Sequence, residues 1–207
     1  MLVPSPSLKK FLEESSSRYQ NQLSDDARDY LMERGLEERT IKQFRYGLVQ
    51  DPAPGHEKYE GMISIPYPTP SGSVVSVRFR NLSGHGPKYL SVAGEIPRIY
   101  NTADLELGTR AVCLTEGEFD TAIAWQCGLP AIGLPGAESW KPLFARLLDQ
   151  YESVFILSDD DEAGQKFADL VSRDCDNARN VPMTGGDVTS YFLEHGREEL
   201  RRKVGAR

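Results

Sequence analysis

From residue 111 onward, short apolar runs alternate with segments in which apolar residues recur every three or four positions. Continuous apolar runs are typical of strands buried on both faces, and the longer spacing is typical of helices packed on one face. The pattern predicts strands near residues 111–115, 130–133, 153–158 and 178–182, and helices near residues 118–127, 137–149, 162–176 and 188–194. Regular alternation of strands and helices predicts an α/β fold, a parallel sheet flanked by helices.

The first half of the chain has a different periodicity. Ser24, followed by two aspartates, predicts a capped helix that Gly35 ends, and a second helix follows over residues 37–46. Residues 62–67 and 73–80 alternate between apolar and polar positions, as the two strands of a hairpin do. We therefore expect a small mixed α+β subdomain ahead of the α/β part.

Domain boundaries follow from these changes of pattern. We expect a flexible lead-in over residues 1–22, the α+β subdomain over residues 23–108, the α/β domain over residues 109–196 and a basic tail over residues 197–207. Neither a signal-peptide pattern nor an apolar run long enough to span a bilayer is visible, which predicts a cytoplasmic protein.

Acidic residues directly follow two of the predicted strands. Glu116 and Asp120 come after the first strand of the α/β part, Asp159 and Asp161 come after the third, and Asp187 precedes the last helix. Because the carboxyl ends of parallel strands meet at one edge of a sheet, we expect these carboxylates to converge there. Oxygen ligands favour Mg²⁺ or Mn²⁺, which usually act on phosphates. The pattern therefore predicts a metal site for phosphodiester chemistry.

Each acidic residue also has a simpler interpretation when it is taken alone. Asp120 lies where a negative charge complements a helix dipole, and Asp159 and Asp187 lie where helix N-caps occur. For single residues both interpretations stay open. Three acidic turns at one sheet edge favour a metal site, because they would repel one another without a cation.

Charge is distributed unevenly along the 207 residues. The formal net charge of -7 is concentrated in residues 111–207, whereas residues 41–110 carry two more basic than acidic groups. Bound divalent ions would offset part of the acidic charge and favour an anionic ligand. The three cysteines, Cys113, Cys127 and Cys175, form no CxxC pair, which excludes a zinc finger on this chain and favours small buried apolar side chains.

The acidic motifs carry a family resemblance. Glu116-Gly117 with Asp120, then Asp159, Asp161 and Gly164, then Gly185-Gly186-Asp187 resembles the TOPRIM domain of topoisomerases, bacterial DnaG-type primases and some nucleases. The resemblance implies acid-base or charge-stabilising work for Glu116. It implies that Asp159 and Asp161 are the main Mg²⁺ or Mn²⁺ ligands, and that Asp120 and Asp187 support them.

The segment before residue 109 resembles the amino-terminal subdomain of the DnaG-type primase core. The resemblance is carried by Arg34-Gly35-Leu36, by Arg78-Phe79-Arg80 and by Pro87-Lys88-Tyr89-Leu90. It implies that Arg78, Arg80, Lys88 and Tyr89 contact template or nucleotide phosphates; a solvated hairpin face with a core tyrosine is the simpler alternative. The chain departs from the family at Thr189, where a second aspartate is often found, and at Met62, where an arginine is frequent.

The combined resemblance implies DNA-directed RNA primer synthesis from ribonucleoside triphosphates on single-stranded DNA, with Mg²⁺ or Mn²⁺ and no zinc. We expect a minimal or split primase core of phage type, because the zinc-binding and helicase-binding modules of the family are not found in these 207 residues. A second replication protein would supply those functions. Two alternatives remain: a non-catalytic accessory protein that binds single-stranded DNA or a replication partner, and a metal-dependent TOPRIM nuclease.

Overall fold

A computed structural model describes residues 4–205. The chain forms two compact units, one made of the residues up to Glu33 together with Glu37–Ile96, the other of Arg34–Leu36 together with the chain from Pro97 onward. The second unit thus begins before the boundary expected at residue 109. The reason is that Tyr100 pairs with Gly133 and Asp104 accepts the backbone N–H of Ala131, so this segment packs on the second unit's sheet.

The first unit is a mixed α+β structure. Its elements are α1 Pro6–Asn21, α2 Asp25–Glu33, α3 Glu38–Gln43, β1 Gly47–Leu48, a 3₁₀ helix Glu57–Tyr59, β2 Ile63–Pro68, β3 Val74–Arg80 and β4 Tyr89–Ser91. The strands form an antiparallel sheet in the order β1-β2-β3-β4. β3 forms within the segment whose period-2 pattern predicted a strand, but most of its residues are buried instead of every second one.

Helix α1 corrects the prediction of a flexible lead-in over residues 1–22; residues 1–3 lie outside the described part. The Ser5 side chain caps the helix by accepting the N–H of Leu8, and Pro6 occupies its first turn. Leu12 and Tyr19 are buried in the core of the first unit. The Tyr19 hydroxyl accepts the N–H of Ala53 at 2.9 Å. The helix is therefore part of the core of the first unit. Its polar composition gave no sign of this in the sequence.

The second unit is an α/β structure. Its elements are a 3₁₀ helix Thr102–Glu106, β5 Ala111–Thr115, α4 Glu118–Gln126, β6 Ala131–Gly133, a 3₁₀ helix Ala137–Ser139, α5 Pro142–Leu148, β7 Ser153–Leu157, α6 Glu162–Asp174, β8 Ala178–Asn180 and α7 Val188–Val204. The four strands are parallel, in the order β6-β5-β7-β8. This confirms the predicted α/β fold with a parallel sheet flanked by helices.

Helix α7 corrects the prediction of a basic tail over residues 197–207; residues 206 and 207 lie outside the described part. The helix is interrupted at Gly196, whose φ is 80°, and then continues to Val204. Leu200 and Val204 are buried. Arg197 and Arg201 donate to the carbonyl oxygens of Gln126 and Cys127, so the basic residues cap the end of α4. Within residues 4–205, no helix has the length and apolar character needed to cross a bilayer.

Candidate metal and catalytic centre

The two main acidic turns emerge side by side from neighbouring strands. β5 and β7 pair in parallel register up to Thr115 and Leu157, so the residues that follow leave the sheet at the same edge. There Glu116 Oε1 accepts the backbone N–H of Asp159 at 3.0 Å. This bond joins the turn after β5 to the turn after β7, and it brings together two carboxylates that are 43 residues apart.

A small polar network shapes the turn that carries Glu116. The Thr121 hydroxyl donates to the Gly117 carbonyl oxygen at 2.7 Å and lies 2.7 Å from the Thr115 hydroxyl. On the adjacent strand β6, a Cβ at Gly133 would lie 2.0 Å from Thr121 Oγ1. Only glycine leaves room for this network, so Gly133 supports the turn. Sequence reasoning missed these threonines, since a single threonine at the end of a strand or inside a helix gives no signal of its own.

Burial and mutual repulsion disfavour charge on the two central carboxyls. Burial raises the pKa of Asp159 to about 8, and the charges of Asp120, Glu116, Asp187 and Asp161 act in the same direction. Burial likewise raises the pKa of Glu116 to about 7, against the opposing effect of its bond from the Asp159 amide. Asp159 Oδ1 is buried with no hydrogen-bond partner. A buried carboxylate oxygen of this kind is stabilised by a cation.

Asp161 and Asp187 each cap a helix. The simpler interpretation predicted the Asp187 cap, but it named Asp159 for the helix that Asp161 caps. Asp161 Oδ1 accepts the N–H of Gly164 at 2.7 Å, and Asp187 Oδ1 accepts the N–H and hydroxyl of Ser190 at 2.7 Å each. Both charges nevertheless act on Asp159. The same carboxylate can therefore cap a helix and belong to the acidic cluster, because the cap holds it at the edge of the sheet.

Asp120 is held by a residue that departs from the family pattern. Its Oδ1 accepts both the N–H of Thr189, at 3.0 Å, and the Thr189 hydroxyl, at 2.9 Å. Burial and the charge of Asp187 raise the pKa of Asp120, while the bonds from Thr189 and the positive charge of Arg34 lower it. Thr189 thus joins the start of α7 to the start of α4, and Asp120 works as a structural acceptor whether or not it also binds an ion.

The carboxylate side chains at this edge are chemically suited to bind a divalent cation. The donors at this edge are carboxylate oxygens, which suit hard ions such as Mg²⁺ or Mn²⁺, and the partnerless Asp159 Oδ1 is an available ligand atom. Across residues 4–205, no group of three or more His, Cys, Asp or Glu side chains is arranged to hold an ion as it stands. Ion binding therefore requires side-chain adjustment around Asp159.

Three basic residues of the first unit lie around the ring of Tyr89: Arg78, Arg80 and Lys88. Arg80 is only 5% exposed and donates to the hydroxyls of Tyr30, at 2.6 Å, and Tyr89, at 2.5 Å. The Arg78 guanidinium carbon lies 5.1 Å from the Tyr89 ring centre, and Lys88 Nζ lies 6.0 Å from it. Arg80 is thus buried between tyrosines, whereas Lys88 is exposed. Sequence reasoning missed Tyr30 as the partner of Arg80, because the two are 50 residues apart.

Comparisons with known proteins agree with this architecture. Residues 113–191 match the family model described as Toprim-like. The Gene 57 protein of Mycobacterium phage D29 is 41% identical over 151 residues, which cover 70% of this chain and 99% of that protein. A DNA primase of Thermotoga maritima is 25% identical over 240 residues, which cover 94% of this chain and 42% of the primase. The chain thus spans less than half the length of that primase.

The fold has a solved counterpart among the primases. The RNA polymerase domain of the Mycobacterium tuberculosis primase DnaG, solved in complex with double-stranded DNA, superposes with a TM-score of 0.80 at 18% identity, covering 97% of this chain and 81% of that domain. The chain thus combines a Toprim-like segment with the catalytic-core fold of DnaG-type primases. Within the class of proteins with this combination, the chain belongs to the same family as the Gene 57 protein of phage D29. The edge of its parallel sheet where Glu116, Asp120, Asp159, Asp161 and Asp187 lie is called the acidic edge below.

Proposed function

We propose that this chain carries out DNA-directed RNA primer synthesis on single-stranded DNA, joining ribonucleoside triphosphates by nucleotidyl transfer. The observation that supports it most is the buried, partnerless oxygen of Asp159 beside Glu116, at the carboxyl edge of a Toprim-like sheet. That edge belongs to a chain with the fold of a DnaG polymerase domain. A site that binds a cation and lies on such a fold suits phosphoryl chemistry better than a structural role.

The acidic residues would divide the work by their positions. Asp159, Asp161 and Asp187 would hold Mg²⁺ or Mn²⁺, with Asp120 supporting them through the start of α7. Bound divalent ions supply Lewis-acid activation of a hydroxyl nucleophile and neutralise charge on a leaving pyrophosphate. Glu116, fixed by the Asp159 amide, is the candidate for acid-base work next to the reacting groups.

The basic cluster of the first unit would bind nucleic acid or nucleotide phosphates. Lys88 is exposed and Arg78 is half-buried, so both can reach an anion. Buried Arg80 would act differently, because its two hydrogen bonds fix the orientations of Tyr30 and Tyr89. A fixed tyrosine ring flanked by cations suits a base next to its phosphate.

Primer synthesis on single-stranded DNA with labelled ribonucleotides and Mg²⁺ or Mn²⁺ tests the proposal. The key variant is Asp161→Asn, because an asparagine oxygen can still accept the Gly164 amide while the charge is lost. We expect wild-type synthesis to be metal-dependent and the variant to lose at least about 100-fold, with unchanged folding. Glu162→Gln, which removes the neighbouring exposed charge, is the matched control and should retain activity.

A replication protein encoded beside this chain is the proposed source of the zinc-binding or helicase-linked functions. The assay is therefore run with and without that neighbour, and the chain alone should prime weakly and with little sequence preference. Weak priming follows because the net charge of -7 gives loose template binding, and a tethering partner raises the effective template concentration. Efficient sequence-specific priming by the chain alone would contradict the split-primase part of the proposal.

The non-catalytic accessory protein is the second candidate, and Thr189 favours it. Thr189 stands where the family often has an aspartate, and it occupies Asp120 Oδ1 with two hydrogen bonds. Fewer charged oxygens then remain for ions. No synthesis even with the neighbouring protein, together with retained binding of single-stranded DNA, would support this candidate; metal-dependent degradation of the template would indicate a nuclease.

A further inference from the structure

Asp160 lies between two proposed ion ligands but bonds to a distant part of the chain. Its Oδ2 accepts the backbone N–H of Gly185 at 2.9 Å, and its own N–H donates to the Gly186 carbonyl oxygen at 2.7 Å. These reciprocal bonds connect the turn after β7 with the turn before α7. The second of those turns carries Asp187, which caps the helix that follows.

The Asp160 bonds extend the pairing of β7 with β8 beyond the end of the strands. The Met183 N–H donates to the Ser158 carbonyl oxygen at 2.9 Å, and Met183 also forms a parallel bridge with Asp159. Asp160 then makes the next contact, between the segment after β7 and the segment after β8. The segment between β8 and Asp187 is therefore hydrogen-bonded to the turn after β7 along its length.

The turn that Asp160 holds has little rigidity of its own. Gly185 and Gly186 have φ angles of 92° and 154°, in the region that favours glycine. Two consecutive glycines have many conformations to lose on folding. The Gly186 N–H donates to the Met183 carbonyl oxygen at 3.0 Å within the turn, and bonds from outside restrict the turn further. The carboxylate and amide of Asp160 supply two such bonds.

We propose that Asp160 is a positioning residue that fixes the Gly185–Gly186 turn and thereby sets Asp187 beside Asp159 and Asp161. The inference rests on the proposed function in so far as Asp187 serves the ion site, and it adds a residue that acts on that site through another. Hydrogen-bonding partners of ligand residues commonly matter about 10–100-fold for metal affinity.

Three variants separate the hydrogen bond of Asp160 from its charge. Asp160→Ala removes both, Asp160→Asn keeps an acceptor oxygen but removes the charge, and Glu162→Gln removes one neighbouring charge without touching the turn. Mn²⁺ affinity is measured by electron paramagnetic resonance, and exchange of the Gly185 amide hydrogen is measured by nuclear magnetic resonance in metal-free protein. If Asp160→Ala fails to fold, Asp160→Ser takes its place in both measurements.

We expect Asp160→Ala to weaken Mn²⁺ binding at least about 10-fold and to speed Gly185 exchange at least about 10-fold. Asp160→Asn should stay within about 3-fold of Glu162→Gln in Mn²⁺ affinity and keep slow Gly185 exchange. Equal Mn²⁺ affinity of Asp160→Ala and Glu162→Gln, with unchanged Gly185 exchange, would overturn the inference. Wild-type protein that binds no Mn²⁺ would instead contradict the proposed function, and Gly185 exchange would still decide the role of Asp160.

Discussion

At the scale of single residues, the acidic edge stores unfavourable electrostatic energy in the metal-free protein. Asp159 combines burial, four neighbouring carboxyl groups and an oxygen without a partner. Such a residue costs stability unless it is protonated or bound to a cation. Stability and ion binding at this edge should therefore depend on each other, and pH reveals the link.

The first prediction concerns stability against pH in the presence of EDTA. The pKa values of Glu116 and Asp159 are raised by burial to about 7 and about 8, so the folded state keeps protons that the unfolded state has already released. The stabilising contribution is complete below the unfolded pKa values, near 4, and is lost as the pH rises through 7 and 8. We expect the metal-free melting temperature to fall between about pH 5 and pH 8.5.

Calorimetry or circular dichroism at several pH values measures this slope. Asp159→Asn should flatten it, whereas Asp169→Asn, on the exposed face of α6, should leave it unchanged. Excess Mg²⁺ should raise the melting temperature most at high pH, where both carboxyls are ionised. A metal-free slope of zero or of opposite sign would show that these carboxyls ionise without cost.

At the scale of elements, helices α1 and α7 differ most from the sequence-based predictions, which gave a flexible lead-in and a basic tail for these segments. Helix α1 is rich in serine and charged residues, yet Leu12 and Tyr19 reach the core of the first unit. Its close approach is visible at Gly47 on β1, where a Cβ would lie 2.3 Å from the Tyr19 carbonyl carbon. The helix is therefore packed directly against the sheet backbone.

The second prediction tests whether α1 stabilises the first unit. Leu12→Ala should lower the free energy of unfolding by about 2–5 kcal/mol, because it leaves a cavity under the helix. Leu8→Ala, on the exposed side of the same helix, should change it by less than about 0.5 kcal/mol. Urea denaturation measures both values, and equal small effects would mean that α1 is a dispensable lead-in after all.

At the scale of the whole molecule, charge opposes the proposed ligand. The chain carries a formal net charge of -7, and an anionic template is repelled by the acidic second unit until divalent ions bind. Arg78 and Lys88 of the first unit are half-buried and exposed cations that can attract the template. Binding of nucleic acid should therefore depend on both ions and salt.

The third prediction follows from that balance. Mn²⁺ or Mg²⁺ should strengthen binding of single-stranded DNA, and the double variant Arg78→Ala/Lys88→Ala should weaken it and reduce the salt slope by about 2. Lys10→Ala, an exposed lysine paired with Glu14 on α1, is the matched control and should leave the slope unchanged. Fluorescence anisotropy across a salt series measures these slopes. An unaltered slope in the double variant would indicate a solvated face.

Local pattern in the amino-acid sequence is enough to predict part of this structure. Apolar runs separated by helical periods predicted the parallel sheet, and acidic residues after β5 and β7 predicted which side chains meet at its edge. Both inferences work because parallel strands end at the same edge of a sheet, and the pleat fixes which face each side chain points to. The placement of Glu116 beside Asp159 therefore needed no tertiary information beyond the order of strands.

The hydrogen-bond partners of the candidate site residues could not be predicted from local pattern. Asp120 is bound by Thr189, 69 residues away, Arg80 is buried against Tyr30, and Asp160 is bonded to Gly185. These contacts depend on how separate elements pack and on which polar atoms burial leaves unpaired, and local periodicity carries no information on either. The same reason explains α1, whose few apolar residues indicate a core helix only once the sheet that covers them is in place.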